Sequence, residues 1–418
     1  MKVEPFSCLR PAPDKAATVA APPYDVFDRA EAATYVAAHP GSFLAIDRPE
    51  TQFGADHDPY ADDVYAKAAS LMDAALADGT YVPDPARCYY LYRLEMAGHA
   101  QTGIVACCAV DDYLDGTIKR HENTVEAKET DRIRHIEALS AQTGPIFLAY
   151  RDDMALDLIV SAASAAEPLY DFTDDEGVRN TVWRIARPEA VEAIQLTFAA
   201  LPCSYIADGH HRAASAVKAS LARREAAEQA GNPDLGHDRP YDTFLSVLFP
   251  ASQLEVLAYN RVVADRAGRT PAELIEAVQD TGFEVTPSTD AVEPADRGHF
   301  GLLTDGSWYE LSLGEALAAK VEDADPVGRL DTSVLQEGVL SPILGITDPR
   351  RDPRIDFVGG IRGTDELERR AGTDGVAFSM HATSIDELMA VADAGLLMPP
   401  KSTWFEPKLR SGLFVHRL

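Results

Sequence analysis

Residues 204–214 read Ser-Tyr-Ile-Ala-Asp-Gly-His-His-Arg-Ala-Ala. Four strand-like residues, SYIA at 204–207, run into Asp208-Gly209, and a helical stretch over 210–230 begins at once. A strand that passes into a helix through a single glycine is the local grammar of a mixed α/β fold. The junction is also chemically loaded. A helix start presents unbonded N–H groups and the positive end of a dipole, which suits phosphate. Gly209 lets a ligand approach the backbone closely. His210, His211 and Arg212 add side-chain donors, and an arginine can hold phosphate oxygens bidentately. Two histidines and an arginine in a first turn run against the dipole, which favours acids there; a bound anion offsets that conflict. The plainer reading is an aspartate N-cap followed by exposed side chains. The two histidines do not read as a pair of metal ligands. Neighbouring helical residues point about 100° apart, and no H-E-x-x-H is present.

The alternation of strand and helix continues on both sides. Residues 59–79 carry an apolar face at Val64, Ala68, Leu71, Met72, Ala75 and Leu76, which predicts an amphipathic helix. CYYLYRLEM at 88–96 and TGIVACCAV at 102–110 predict a hairpin. A helix is expected over 129–140, a buried strand at 144–150 and a helix at 188–199. The polar stretch GNPDLGHDRP at 231–240 reads as a loop, and TFLSVLFP and LEVLAYNRVV as strands. Further on, 271–282, 364–372 and 384–394 read as helices, 376–380 as a strand, and 300–313 as a hairpin turning at Asp305-Gly306. A boundary is placed near 250. It separates an N-terminal α/β core, 1–250, from a C-terminal α/β region, 251–418, whose tail at 398–413 is expected to return to the site.

Length and charge bound the function. A chain of 418 residues, 46% hydrophobic and 25% charged, folds into two or three domains. No run approaches the ~18 apolar residues of a membrane span, and the first fifteen residues carry no signal-like apolar stretch. Five cysteines, with no C-x-x-C and an adjacent pair at Cys107–Cys108, fit a reducing compartment, so a cytoplasmic location is expected. Sixty-seven acids against 38 bases give a net charge of −29, which repels nucleic-acid phosphate over most of the surface. Only nine of the bases are lysines, and Lys119, Lys128, Lys401 and Lys408 lie within a few residues of chemically suggestive segments.

Three such segments accompany the first. Lys119-Arg120-His121-Glu122-Asn123-Thr124 gathers donors around one carboxylate. Pro22-Pro23-Tyr24-Asp25-Val26 stiffens a turn that holds Asp25. The tail Met398-Pro399-Pro400-Lys401-Ser402-Thr403-Trp404-Phe405-Glu406-Pro407-Lys408 carries two lysines and two hydroxyls on a proline-stiffened loop. Taken singly, a charged loop, a simple turn and a packed arm explain each of them.

Taken together, EPF at 4–6, APPYDV at 21–26, HENT at 121–124, YIADGHHR at 205–212 and MPPKSTWFEPKLRSGL at 398–413 resemble the bacterial and archaeal family catalogued as domain of unknown function 1015, over nearly the whole chain. Departures are an alanine at 213, where an aromatic is expected, and a divergent acidic stretch between the helix at 210–230 and the tail. The D-G-H-H-R box at 208–212 is also similar to the phosphate-binding box of the ParB/sulfiredoxin superfamily, which includes partition proteins, sulfiredoxin and kinases of free serine. That second resemblance covers about ten residues. It implies a nucleotide-binding core of small mixed sheet and helices, elaborated here by a second α/β region. In the partition proteins a Glu-Asn motif follows the box, whereas the Glu-Asn of HENT precedes it here.

The expected function is phosphoryl transfer to a small hydroxylated metabolite, of the nucleotide-dependent serine kinase or phosphoserine phosphatase type. Such chemistry needs a phosphate cradle, a divalent metal and a base. Gly209, His210, Arg212, Lys401, Ser402 and Thr403 are candidates for phosphate or nucleotide; Asp208 and Glu122 for Mg²⁺; Asp25, Glu122, His210 and His211 for catalysis, with Asp25 or Glu122 as base. ATP or ADP is the expected co-substrate. The expected partners are a nucleotide or phosphorylated metabolite, with no nucleic acid and no membrane; the sequence does not fix the oligomeric state. The rival readings are a non-catalytic nucleotide sensor, a ParB-like nuclease or nucleic-acid-binding protein, which the charge disfavours, and a metal-dependent phosphoesterase, whose further Asp/His motifs are missing.

Overall fold

The computed structural model describes residues 1–232 and 236–418. It is a mixed α/β structure that divides into two compact units, Met1–Leu254 with Pro407–Leu418, and Glu255–Glu406. Of the loop expected at 231–240, Pro233 to Leu235 lie outside the described residues; Pro240–Asp242 form a 3₁₀ turn.

The first unit is built on a nine-stranded sheet. Its order is Ile118–Lys119, Ser204–Asp208, Ile146–Tyr150, Thr243–Pro250, His99–Ala109, Tyr89–Met96, Arg179–Ile185 and Tyr170–Thr173. Val3–Glu4 pairs with Cys107 and Cys108, past the end of the hairpin partner. Two pairings are parallel, Ser204–Asp208 with Ile118–Lys119 and Thr243–Pro250 with Ile146–Tyr150; the rest are antiparallel. Alternate residues of a strand face opposite sides, and both sides are covered here. Tyr89 and Leu91 join Ile104, Leu148 and Ile206 in a core closed by Leu156, Ile194, Phe198 and Val217 from helices. Tyr90 and Tyr92 point the other way, onto Phe414 near the C-terminus.

The tail from Pro407 is stitched into this unit by backbone pairing. Ser411 and Ala21 exchange two hydrogen bonds, as do Val415 and Leu9, and His416–Arg417 pairs with Ala141–Gln142.

The second unit is an antiparallel six-stranded sheet in the order Phe283–Ser288, Ser307–Leu313, His299–Thr304, Val376–Met380, Tyr259–Val263, Ile355–Gly359. Its core combines Phe300, Leu302 and Phe378 with Leu274 and Val278 of the helix Pro271–Asp280. Among the described residues no helix is long and apolar enough to cross a membrane.

Candidate functional site

The strand Ser204–Asp208 loses register against Ile146–Tyr150 at its end: Ile206 faces Leu148, but Asp208 faces Phe147. Such an irregularity re-aims a side chain. Gly209 follows with φ +92°, a conformation open chiefly to glycine, and caps the helix His210–Gln229. No acid lies in that helix's first turn. A Cβ on Gly209 would stand 3.1 Å from Arg212 Nε and 3.2 Å from its Cζ, so the guanidinium folds back over the bare backbone. Arg212 Nη1 donates to the Pro145 carbonyl at 2.6 Å.

Asp208 is held between cations. Its Oδ1 accepts from the Gly209 N–H at 2.7 Å. Its Oδ2 lies 3.5 Å from Lys408 Nζ and 3.7 Å from Arg212 Nη2. Burial pushes its pKa up, but Lys408, Arg212 and the Gly209 N–H outweigh burial and hold it well below the usual carboxylate range. Asp208, expected as a metal ligand, has Lys408 and Arg212 as its charged neighbours. Among the described residues no group of three or more His, Cys, Asp or Glu side chains is placed to hold a metal by itself.

The HENT segment reaches the same helix start. The His121 and His210 rings meet edge to face, with centroids 4.4 Å apart. His210 Nδ1 lies 3.6 Å from Glu122 Oε2. His121 Nδ1 and His210 Nε2 are buried without a hydrogen-bond partner, as is Arg212 Nε. His211 points elsewhere: its Nε2 accepts from the Val125 N–H at 3.0 Å, which leaves any ring proton of the neutral form on Nδ1.

The PPYDV segment forms a 3₁₀ turn, Tyr24–Val26, after Pro23. Arg48 Nη1 pins it by donating to the carbonyls of Tyr24 at 2.9 Å and Phe27 at 2.8 Å. The Arg132 guanidinium lies over the Tyr24 ring, 4.2 Å from its centroid. The turn and the helix Glu126–Leu139 border a cleft of about 290 Å³ that Asp25, Arg48, Lys128, Asp131 and His211 line. Burial lowers the pKa of the Arg212 guanidinium, but Asp25 and Asp208 outweigh it and keep the charge firmly in place.

Asp25, Glu122, Asp208, Gly209, His210, His211 and Arg212 thus gather around one helix start within the first unit. Lys401, Ser402 and Thr403 belong to the second unit. There the Lys401 ammonium sits 5.3 Å from the Tyr259 ring centroid, and the Ser402 hydroxyl donates to the Pro399 carbonyl at 2.8 Å. The tail cation that meets Asp208 is Lys408. Its signal in the sequence is a second Pro-Lys pair, at 407–408, seven positions after Pro400-Lys401. Arg48, Lys128 and Arg132 also stand at this cleft, beyond the candidates the sequence offers.

Burial holds both histidines of the cluster neutral. It pulls His121 down to about 4, against the opposing pull of Asp208 and a backbone bond to Ile206. It pulls His210 well below its ordinary range as well, with His121 adding to the effect and Asp208 opposing it. The unfolded chain, with histidine near 6.5, therefore binds more protons than the folded one on the acid side of that value. This contribution to stability is intact above about pH 6.5 and is lost as the pH falls through 4. Asp331, which burial in the second unit raises to about 6, acts in the opposite sense. We expect the parent's stability advantage over His121→Gln to shrink as pH falls from 7 to 4.5. Asp331 cancels in that difference, which denaturant unfolding of both proteins measures; a pH-independent difference would refute the neutral assignment.

Solved structures similar to this one include a free serine kinase variant in complex with ADP, at 17% identity, covering 72% of this chain and 87% of that one, with a TM-score of 0.33. SbnI with a C-terminal truncation from Staphylococcus aureus matches at 14% identity over 73% of this chain and 85% of that one, TM-score 0.37. A conserved hypothetical protein from Pyrococcus furiosus matches at 16% over 73% and 91%, TM-score 0.33. Superpositions this loose say nothing of this chain's chemistry. No functionally curated protein matches the sequence. The family model for the protein of unknown function DUF1015 matches residues 3–333, three of the four clustered segments among them, and the chain belongs to that family.

Proposed function

We propose that the start of the helix His210–Gln229 binds the phosphate groups of a nucleotide or phosphorylated metabolite, and that the chain transfers phosphoryl groups to or from a small hydroxylated acceptor. The observation that carries this reading is the convergence of Asp25, Glu122, Asp208 to Arg212 and Lys408, from four separate stretches of sequence, on one acid-free helix start. The buried, unpartnered His210 Nε2 is a group that a phosphate would engage. Arg212 and Lys408 supply the charge, with Asp208 holding both in reach.

The cleft beside the cradle favours an amino-acid acceptor, and serine is the acceptor we propose. Asp25 and Lys128 line it, and neither side chain makes a hydrogen bond or ion pair among the described residues. An ammonium and a carboxylate on one cleft match a zwitterion: Lys128 would take the α-carboxylate, and Asp25 the ammonium or, as base, the hydroxyl proton. Mg²⁺ typically uses one or two carboxylates plus substrate phosphates. Glu122, part-exposed beside His210, fits that need, whereas Asp208, already serving two cations, does not. When bound, the metal would neutralise charge on the phosphate oxygens.

The test is a titration of purified protein with ADP, ATP, phosphoserine and duplex DNA, followed by an assay for phosphoryl exchange between nucleotide and serine. We expect nucleotide or phosphoserine binding, exchange that needs Mg²⁺, and no DNA binding at physiological salt. Binding of DNA alone, weakening steeply with added salt, would replace this reading with a nucleic-acid one.

A further inference from the structure

The first turns of the helix His210–Gln229 also border a small cavity of about 40 Å³, on which Tyr24, Asp47, Arg132, His135, Thr143 and Arg212 stand. Asp47 ends the short helix Leu44–Asp47 and is 2% exposed. Its Oδ1 accepts from Thr143 Oγ1 at 2.8 Å. Its Oδ2 is buried with no hydrogen-bond partner, and so is Arg212 Nε. Two neighbouring groups on the cavity are engaged: His135 Nε2 bonds the Ile46 carbonyl at 2.9 Å, and Arg132 Nη1 donates to the Asp47 carbonyl at 3.2 Å. One unmade acceptor and one unmade donor, both charged and both buried, therefore belong to residues that share the cavity wall. Leaving either unmade is costly. Their separation by a cavity points to water, which needs roughly 10–15 Å³ and two to four polar partners.

We propose that Asp47 is a positioning residue for Arg212: through an ordered water in this cavity, its Oδ2 receives the Arg212 Nε–H and fixes the guanidinium over Gly209. The inference rests on the reading of the helix start as a phosphate cradle and adds what holds the cradle's arginine. A long side chain fixed before the ligand arrives loses less freedom on binding. The Pro145 carbonyl secures one end of the guanidinium, at Nη1. A second anchor at Nε defines its plane.

The decisive measurement needs no ligand. In full-length protein carrying nitrogen-15 arginine, with the Arg212 resonance assigned through Arg212→Lys, the Nε–H should exchange slowly with solvent. Asp47→Asn should accelerate that exchange about tenfold, the scale of one charge-assisted bond. Thr143→Val, which frees Asp47 Oδ1, should accelerate it less and serves if Asp47→Asn does not fold. Unchanged exchange in a folded variant overturns the proposal. Affinity for ADP then reads the link to binding. Asp47→Asn should weaken it in the parent and change nothing further in Arg212→Ala, whereas additive losses would mark Asp47 as merely structural. Slow, Asp47-dependent exchange in a protein that binds no ADP would leave Asp47's role standing and remove the phosphate reading.

Discussion

Arg212→Ala and Gly209→Ala should weaken phosphate binding alike, by about ten- to a hundredfold in dissociation constant, the worth of a charge-assisted contact of roughly 1.5–3 kcal/mol. The first removes the guanidinium. The second keeps it but builds a methyl group 3.1 Å from its Nε, at a residue whose φ of +92° already disfavours a side chain. The guanidinium cannot simply swing aside, because Nη1 is bonded to the Pro145 carbonyl at 2.6 Å. The helix start must shift or the contact must be lost. Gly79→Ala supplies the control: its φ is +80°, but nothing lies within 4 Å of its added Cβ. It should cost stability and leave affinity alone. Titration of all three variants with ADP and phosphoserine checks this. Parent-like affinity in a folded Gly209→Ala would mean that the guanidinium over the glycine is no part of the binding site.

The sequence carries the local features of this arrangement and not the distant ones. The helix expected over 210–230 spans His210–Gln229, and the strand at 204–207 extends by one residue to Asp208, because local propensity and packing agree there. The hairpin is present as well, but its turn is only Ala97-Gly98, both with positive φ, so the polar link is absorbed into longer strands. LEVLAYNRVV is two strands rather than one. Glu255–Leu257 pairs with Trp404–Glu406, while Tyr259–Val263 enters the six-stranded sheet, and the chain breaks at Ala258, whose carbonyl accepts from Gly360. The helix Arg29–Ala38 buries only Ala32, so the sequence shows no apolar stripe there.

The site divides the same way. Asp208 to Arg212 are contiguous, and their conflict with the helix dipole is visible from the sequence alone. Lys408 reaches Asp208 only because the tail pairs with Ala21 and Leu9 across almost the whole chain, and no local pattern encodes that pairing. Asp47, Arg48 and Arg132 are charges whose roles lie in partners 21 to 96 positions away, and a buried charge reads as a surface one until its partner is known.

Asp208→Asn is expected to do the opposite of Arg212→Ala to binding. In the parent, Asp208 faces the ligand's own negative charge while it neutralises Lys408 and Arg212. Asparagine can still accept the Gly209 N–H, so the turn should survive. What disappears is the negative charge between two cations. Without ligand, Lys408 and Arg212 then repel each other in a partly buried setting, and the protein should melt at a lower temperature. With an anion bound, the same two cations gain the partner they lack, so affinity for ADP or phosphoserine should rise, on the order of tenfold for about 1.4 kcal/mol. Turnover should nonetheless fall. In the proposed reaction Lys408 and Arg212 must stay in register as charge moves between donor and acceptor, and Asp208 is the group that ties both to the helix start. The variant should therefore bind more tightly, melt lower when free, recover most of that loss on adding ligand, and exchange phosphoryl groups more slowly. Melting curves with and without ADP, read beside the exchange assay, separate these effects. A carboxylate that only holds the Gly209 N–H forecasts no change in any of them, and that result would remove Asp208 from the site.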